Sequence, residues 1–500
     1  MSKPLDPARA LDPRASCVVE ACAGSGKTWL LVSRMLRLLL AGARPAELLA
    51  ITFTRKAAQE MTDRLHEWLQ FLALQDDEAV RDFLRARAVP EYAIAALLPR
   101  ARAWLETVLT AQPGPTVTTF HGWFLELLKR APLEAGLPWG APLLERERLL
   151  QRETWEALAA KWAAETDTPH ALALRGLLEE CGQHNLETLL FNFLQRRAEW
   201  WACTEGRPDP VAHALERLRS CLRFDPDIDP VAAFWADAMM LARVQRVGQA
   251  LTQGGKDEAR YGANILAALH ARDLDGVIYN VLTGKGERRA KKPTAALQTA
   301  LGAGFEAHRR DVLALEDAFI ALIEHQAEIS AWRLNRHGLL LGHALLEQYQ
   351  QAKAGQGVID FTDAEWLGCK LLQDETLAPA INLKLDARYR HLLLDEFQDT
   401  NPLQWQALAA WLATAHGTDS GMTVFLVGDP KQAIYRFRRG EARVFDAAAR
   451  FLRDHFGAPH FATDLSRRLA PAVVAAINPV FADLDGYVAH EAAPENRSLP

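Results

Sequence analysis

The stretch VVEACAGSGKTWLL, from Val18 to Leu31, contains a strand, a loop and the start of a helix in one unbroken run. Its apolar beginning is typical of a buried β-strand, and the glycines break that strand before a helical pattern begins. Backbone N–H groups can wrap a polyphosphate only where the chain is free to bend close to it. The stretch therefore predicts a P-loop for a nucleoside triphosphate. The predicted phosphate-binding loop consists of Ala21, Cys22, Ala23, Gly24, Ser25 and Gly26.

Two polar residues, Lys27 and Thr28, follow this loop where the predicted helix begins. Lys27 supplies a mobile positive charge, and the hydroxyl of Thr28 can bind Mg²⁺ beside the positive end of the helix dipole. Ala21 stands where the general pattern has glycine. For this stretch alone, an ordinary glycine-rich turn between a strand and a helix remains the alternative.

The composition indicates a globular protein with more than one domain. The chain has 500 residues, of which 49% are hydrophobic and 24% charged, and this exceeds what one core usually supports. The formal net charge of -6 gives no overall basic surface for nucleic acid, so such a partner must be bound locally.

The cysteines and the apolar segments indicate the compartment. The cysteines have no CxxC spacing, so neither a zinc site nor a disulfide framework is expected, and a reducing cytoplasm fits best. The N-terminus has no apolar signal region, and no run of 18 apolar residues follows, so we expect no membrane partner and a soluble, cytoplasmic protein.

The order of predicted elements indicates an α/β fold with an insertion. A βαβ pattern begins at the P-loop. Between about Pro132 and Gly355 the spacing of apolar residues instead predicts long helical segments. Two short apolar runs, Leu392 to Leu394 and Val424 to Val427, then return as candidate central strands. We predict a parallel sheet flanked by helices and interrupted by a large, mainly helical domain.

A carboxylate pair, Asp395 and Glu396, follows the first of these strands in the string LLLDEFQDT. Hydrolysis of a phosphoanhydride needs one carboxylate to hold Mg²⁺ and a second to orient and deprotonate the attacking water. Asp395 fits the first role and Glu396 the second, which makes this a Walker B pattern. Taken alone, the pair could instead cap a helix.

The second strand leads into VFLVGDPKQAIYRFRRG, where aromatic and basic residues alternate from Tyr435 to Arg439. Such alternation suits bases that stack on rings while cations meet the phosphates, and it works without an overall basic protein. For this segment alone, Tyr435 and Phe437 could equally be core residues.

Taken together, the motifs resemble those of superfamily 1 helicases of the UvrD type, nearest to RecB and AddA. The matching strings, in order, are ACAGSGKT, AITFTRKAAQEM, TVTTFHGWF, LLLDEFQDT, VGDPKQAIYRFR and LSRRLAPAVVAAIN. The resemblance implies a RecA-like P-loop NTPase fold, ATP and Mg²⁺ as ligands, and ATP-dependent 3′ to 5′ DNA helicase activity in repair and recombination. The implied domains are 1–130 and 356–455 for the first motor domain, 131–355 for the helical insertion, and 456–500 for the start of a second motor domain.

The resemblance also implies a role for each residue at the nucleotide site. Lys27 and Thr28 would bind phosphates and Mg²⁺, with Asp395 on the metal and Glu396 as the general base. Gln432 would sense the γ-phosphate. An arginine would reach that phosphate from the second motor domain, and Arg468 occupies its position, with its neighbour Arg467 left as the alternative.

The implied partners are single-stranded or double-stranded DNA and a second helicase or nuclease subunit. His121 on its own would more often be a core histidine, but its place in the string TFH favours the DNA role. The residues that resemble DNA-contacting positions are Thr52, Phe53, Thr54, Thr119, Phe120, His121, Tyr435, Phe437 and Arg438.

Departures from the family pattern qualify this expectation. The residues before the P-loop lack the glutamine that reads adenine in many relatives, so selectivity for ATP is implied by the family alone. The later helicase motifs do not occur before Pro500, so we expect a fragment or one half of a split enzyme, in which turnover requires the missing half. The alternatives are a non-catalytic, ATP-responsive DNA-binding module and a P-loop ATPase or kinase that acts on something other than DNA.

Each of three further segments has two possible interpretations. Asp360, Phe361 and Asp363 resemble the stretch that returns the insertion to the motor domain, with a folding or a catalytic role. The patch Glu199 to Trp201 fits burial in a helical core better than contact with duplex DNA or a partner subunit. The basic run Lys285 to Lys292 fits a solvated loop better than a phosphate-binding surface.

Overall fold

The computed structural model describes residues 3–132, 140–144, 146–289, 293–416, 421–434, 439–484 and 487–493. The chain forms two compact units. We call residues 1–147 with 353–500 the sheet unit, and residues 148–352 the helical unit.

A parallel sheet of seven strands organises the sheet unit, in the order β1-β7-β2-β6-β5-β3-β4. The short strands β8 and β9 pair separately, also in parallel. In chain order the strands are β1 Lys3–Pro4, β2 Cys17–Ala21, β3 Leu48–Thr52, β4 Thr116–Thr119, β5 His391–Leu394, β6 Thr423–Gly428, β7 His460–Thr463, β8 Leu465–Ser466 and β9 Glu491–Ala492.

Within the described residues, six helices accompany the first half of the sheet. The P-loop helix ends at Gly42, where a φ of +106° lets the N–H of this glycine bond back to the last turn. Apolar side chains of α2, α3, α4 and α5 share one core with the sheet. These helices are α1 Pro7–Ala10, α2 Lys27–Ala41, α3 Arg55–Leu74, α4 Asp77–Ala86, α5 Glu91–Thr110 and α6 Phe120–Leu128.

The helical unit contains helices with a core of their own, in which Phe234, Val244, Ile265 and Phe319 are buried. Its elements are α7 Glu147–Ala164, α8 Pro169–Gln195, α9 Arg197–Thr204, α10 Pro210–Arg219, α11 Pro230–Ala236, α12 Ala238–Leu251, α13 Lys256–His270, α14 Leu274–Val281, α15 Ala295–Leu301 and α16 Phe305–Gln356, which crosses the boundary between the units.

The predicted burial of the tryptophan patch is confirmed for Trp200, which packs against the rings of Phe193 and His343. Trp201 is half-buried, with its ring near the guanidinium of Arg197. In the basic run, Lys285 is exposed, while positions 290–292 lie outside the described residues.

Among the described residues, five helices complete the sheet unit after the insertion. Helix α17 packs against both α6 and α19. The five are α17 Phe361–Gln373, α18 Ala378–Arg388, α19 Pro402–His416, α20 Arg443–Phe456 and α21 Pro471–Phe481. Across the described ranges, no helix is both long and apolar enough to cross a membrane.

Because the strands of the main sheet are parallel, their carboxyl ends meet at one edge, where ligands bind in open α/β sheets. Strands β2, β3, β5 and β6 lead at this edge into Cys22, Phe53, Asp395 and Asp429. The predicted α/β class, a parallel sheet flanked by helices, is confirmed. Strand β7 lies inside the segment predicted as the start of a second motor domain, and it pairs with β2. The division into 1–130, 131–355, 356–455 and 456–500 stays a prediction.

Candidate functional site

The P-loop between β2 and α2 is an open turn that depends on its glycines. Gly24 and Gly26 have φ values of +75° and +93°, a conformation that side chains with a Cβ rarely adopt. The N–H of Ser25 donates to the carbonyl of Cys22 at 3.2 Å, and the Ser25 hydroxyl donates to the same oxygen at 2.7 Å. Within the described residues, no side chain caps the first turn of α2. Its N–H groups are thus suited to an anion.

The two predicted nucleotide motifs meet at Lys27. The Nζ of this residue lies 3.1 Å from Oε2 of Glu396, and its side chain is only 10% exposed. The ion pair joins the P-loop to the carboxylates that follow β5, although 369 positions separate the two residue numbers. The two predicted nucleotide motifs therefore meet at one point of the sheet edge.

Asp395 is buried directly behind this pair. Its Oδ2 accepts a hydrogen bond from the hydroxyl of Thr52 at 3.0 Å. Burial, followed by the negative charge of Glu396, raises the pKa of Asp395 to about 6. The same two causes raise the pKa of Asp399 to about 7. A bound cation would favour the charged forms, so the buried carboxylate of Asp395 fits Mg²⁺ as a ligand. Thr28, the predicted hydroxyl ligand, is the second residue of α2.

Glu396 has an unusual backbone and a fixed side chain. Its φ of +46° lies in the left-handed region, which is uncommon for a residue other than glycine. The side-chain amide of Gln398 donates to Oε2 of Glu396 at 2.7 Å. The other end of that amide, Oε1, accepts the N–H of Asp429 at 2.8 Å. Gln398 therefore bridges two strand ends.

This bridge continues to the predicted γ-phosphate sensor. The side-chain amide of Gln432 donates to Oδ2 of Asp429. A continuous polar chain thus runs from Glu396 through Gln398 and Asp429 to Gln432. Gln398 is not among the predicted site residues. Its position two residues after Glu396, in the string DEFQD, could have indicated a contact with that carboxylate.

The segment after β7 packs on the P-loop. The N–H of Arg467 donates to the carbonyl of Gly24 at 2.8 Å. The fully buried hydroxyl of Ser466 accepts the N–H groups of Arg468 and Leu469. A Cβ added to Gly24 would lie 2.6 Å from Cβ of Arg468, so only glycine fits there. Both predicted arginines lie against the loop, and the choice between them stays open.

A cavity of about 370 Å³ lies beside this edge of the sheet. We call it the His121 groove. The rings of His121 and Phe361 pack with centroids 4.5 Å apart at its wall. Its lining residues are Phe53, Arg55, Ala58, Gln59, Thr62, Val117, Thr118, Thr119, His121, Gly122, Leu125 and Phe361.

The predicted DNA contacts separate into three groups. Phe53, Thr119 and His121 line the groove. Thr52 and Phe120 are buried, Thr52 bonding to Asp395, while the hydroxyl of Thr54 caps α3. Tyr435, Phe437 and Arg438 lie outside the described residues. The prediction of a DNA surface therefore rests on the residues of the groove.

Asp360 and Asp363 stabilise the start of α17. Each carboxylate accepts the backbone N–H of the other residue, which is a reciprocal capping box. The buried ammonium of Lys353 contacts both carboxylates, at 2.8 Å for Asp360 and 2.5 Å for Asp363. These contacts support the folding role, one of the two that the sequence left open for the pair.

Known proteins with similar sequences include components of ATP-dependent helicase/nucleases. The ATP-dependent helicase/nuclease A subunit of Moorella thermoacetica is 26% identical over 527 aligned residues, which cover 96% of this chain and 35% of that protein. The proteins of the same name from Desulfitobacterium hafniense and Streptococcus uberis are 26% and 22% identical. Their alignments cover 94% and 86% of this chain, and 35% and 34% of those proteins.

This chain thus spans about a third of the length of the curated relatives it matches. The family model described as the UvrD/REP helicase N-terminal domain matches residues 5–451, which include the P-loop, the carboxylate pair and Gln432. On the strength of this match over most of its length, the chain belongs to the UvrD/REP helicase N-terminal domain family.

Proposed function

We propose that this chain binds and hydrolyses ATP as the motor part of a DNA helicase of the UvrD, RecB and AddA type. The observation that carries the proposal is the 3.1 Å contact between Lys27 and Glu396, which joins the P-loop to the carboxylate pair after β5. Membership of the UvrD/REP family and the names of the curated relatives support DNA as the substrate.

Each element of the site has a task in this proposal. The P-loop N–H groups and Lys27 bind the phosphates, while Thr28 and Asp395 hold Mg²⁺. Mg²⁺, when bound, neutralises charge on the phosphates and helps to align them. Glu396 takes the proton of the attacking water, and Gln398 keeps its carboxylate oriented by the 2.7 Å hydrogen bond.

Two further groups act on the terminal phosphate. Gln432 senses it through the polar chain to Glu396. Arg468, or its neighbour Arg467, stabilises negative charge there in the transition state. The backbone contact between Arg467 and Gly24 supports an arginine at this position.

Single-stranded DNA binds in the His121 groove in this proposal. Phe53 and His121 offer rings to the bases, and Thr119 and Arg55 offer polar contacts. The chain then acts in DNA repair and recombination, moves 3′ to 5′, and works beside a second helicase or nuclease subunit. The relatives' name, which makes them one component of a helicase/nuclease, supports that partner.

Steady-state ATP hydrolysis by the purified chain, with and without single-stranded DNA, tests the proposal. We expect Mg-ATP binding that Glu396→Gln keeps and Lys27→Ala loses. Hydrolysis that DNA stimulates and that Glu396→Gln abolishes would show a coupled motor core for which the missing half is less essential. Unchanged turnover in Glu396→Gln would refute the general-base role. Nucleotide-dependent DNA binding without turnover would favour the alternative, an ATP-responsive DNA-binding module. A duplex with a 3′ or a 5′ single-stranded tail tests the direction of movement.

A further inference from the structure

A buried glutamate on α17, Glu365, has no role in the site described above. Its side chain is 1% exposed. An ionised carboxylate is costly to bury unless it is paired and fully hydrogen-bonded. The partners of Glu365 therefore indicate what this position does.

Both oxygens of Glu365 have two polar partners. Nε2 of His121 lies 3.2 Å from Oε1, which also accepts the side-chain amide of Gln404. Oε2 accepts Nη2 of Arg439 at 2.7 Å and Nδ2 of Asn401 at 3.1 Å. Burial opposes ionisation, but the hydrogen bond from His121 and the charge of Arg439 outweigh it and hold the pKa of Glu365 below its ordinary value.

Two of these partners belong to the nucleotide side. Asn401 and Gln404 stand at the start of α19, directly after the DEFQDT string that carries Glu396. Each side chain accepts the backbone N–H of the other, at 2.8 and 3.2 Å. This reciprocal pair fixes the start of α19, so Glu365 contacts a rigid extension of the carboxylate loop.

The other two partners belong to the DNA side. His121 lines the groove, and Arg439 directly follows the segment 435–438, whose sequence resembles a DNA-contacting motif. Arg439 has a φ of +68°, so its backbone is held in a conformation that non-glycine residues rarely adopt. The N–H of Glu441 also donates to the carbonyl of Thr400 at 3.3 Å, which ties the same segment to the start of α19.

We propose that Glu365 is a positioning residue that couples single-stranded DNA in the His121 groove to the nucleotide site. A movement on either side must carry the other with it, or leave a buried polar group without a partner. The inference rests on the proposed function, since it presupposes that this chain binds both ligands. Glu365 itself contacts neither ligand and acts through the four groups it holds.

The test measures how strongly a nucleotide changes DNA affinity. A fluorescently labelled oligothymidylate is titrated with the full chain, with and without the non-hydrolysable analogue AMP-PNP and Mg²⁺. We expect the analogue to change the Kd of the wild-type chain by about fivefold or more, the range of ordinary coupling between two sites. We expect a change of less than about twofold in Glu365→Gln, with AMP-PNP affinity in the absence of DNA unchanged.

Glu375→Gln is the matched control, because Glu375 is an exposed glutamate shortly after α17 and should keep the wild-type response. Because Glu365→Gln removes a buried charge, Arg439→Gln is the second variant. It should lose the response as well, and the double variant should be no worse than Glu365→Gln alone. The single variant Arg439→Gln remains informative if Glu365→Gln does not fold.

Each outcome bears on a different statement. A wild-type chain that binds neither AMP-PNP nor the oligonucleotide would refute the proposed function, and the coupling with it. Binding of both ligands without any mutual effect would refute the coupling alone. So would a wild-type response that persists in the folded Glu365→Gln or Arg439→Gln variant.

Discussion

Glu396 stores backbone strain at the candidate reaction centre. Its left-handed conformation, with a φ of +46°, costs about 1–3 kcal/mol for a residue with a Cβ and persists only when the surroundings determine it. Lys27 and Gln398 both contact Oε2 of this carboxylate, at 3.1 and 2.7 Å. The orientation of the Glu396 carboxylate therefore depends on Gln398 as well as on Lys27.

Replacing Gln398 with alanine tests that dependence. We expect kcat for ATP to fall about 10- to 100-fold, because a small displacement of a catalytic group slows the reaction strongly, while the Kd of Mg-ATP stays unchanged. Steady-state kinetics and a nucleotide-binding titration separate the two quantities. Gln373→Ala, at an exposed position, is the control. Equal kcat values in both variants would contradict the role of Gln398.

His391, at the start of β5, is a histidine that stays neutral in the folded chain. Burial, together with the positive charge of Arg34, lowers the pKa of His391 to about 4 from an ordinary value of 6.5. As the pH falls, His391 is therefore protonated near pH 6.5 in the unfolded chain but only near pH 4 in the folded chain. The contribution to stability is complete above pH 6.5 and is lost as the pH falls towards 4.

The variant His391→Gln should flatten this dependence. Between pH 7 and pH 4.5 the unfolding free energy of the wild-type chain should fall by about 2–3 kcal/mol more than that of the variant. The reason is that each pH unit between the unfolded and folded pKa values of His391 changes this free energy by about 1.4 kcal/mol. Urea denaturation at a series of pH values measures the difference between the two proteins. Parallel curves for both proteins would show that His391 does not resist protonation.

At the scale of single elements, the start of α17 depends on one buried charge cluster. The capping box of Asp360 and Asp363 brings two carboxylates together, and the ammonium of Lys353 from the end of α16 forms an ion pair with each of them. The hydrogen bonds that begin the helix are therefore linked to an ion pair. The positions of the helix and of Glu365 on it depend on Lys353 in turn.

Lys353→Met should destabilise the chain by about 3–5 kcal/mol, because it removes the ammonium that pairs with two buried carboxylates. Chemical denaturation followed by circular dichroism measures the loss. The control is Lys256→Met at an exposed position, where a change within about 0.5 kcal/mol is expected. A similarly small change for Lys353→Met would contradict the importance of the cluster.

Local patterns were enough to predict the elements that carry the site. The apolar runs Leu392–Leu394 and Val424–Val427 lie within the observed strands β5 and β6, and the P-loop and its helix are where the pattern placed them. The contacts of Glu365 were not predictable, because its partners at 121, 401, 404 and 439 become neighbours only through the sheet order. The strained φ of Glu396 likewise depends on packing, which no spacing rule encodes.

At the scale of the whole molecule, the two compact units have separate apolar interiors. The helical unit buries Phe234, Val244, Ile265 and Phe319 among its own helices. The sheet unit buries the faces of α2 to α5 against its strands. Each unit therefore has the core that independent folding requires.

A fragment comprising residues 148–352 should fold by itself. We expect a strongly helical circular dichroism spectrum and a single cooperative thermal transition, because the buried cluster around Phe234, Val244, Ile265 and Phe319 lies within the fragment. Limited proteolysis gives a second measurement, in which the fragment should persist as a resistant band. A spectrum without helix, or immediate digestion, would contradict the separate core.

The strand order has a consequence for synthesis on the ribosome. Strand β2, which leads into the P-loop, pairs with β6 and β7, and neither neighbour exists until residues 423–463 have been translated. At about 5–20 residues per second, this strand emerges tens of seconds before its partners. Until the rest of the sheet has been made, the nascent chain carries an apolar, unpaired strand that can aggregate. The order of the strands along the chain therefore favours folding with the help of chaperones.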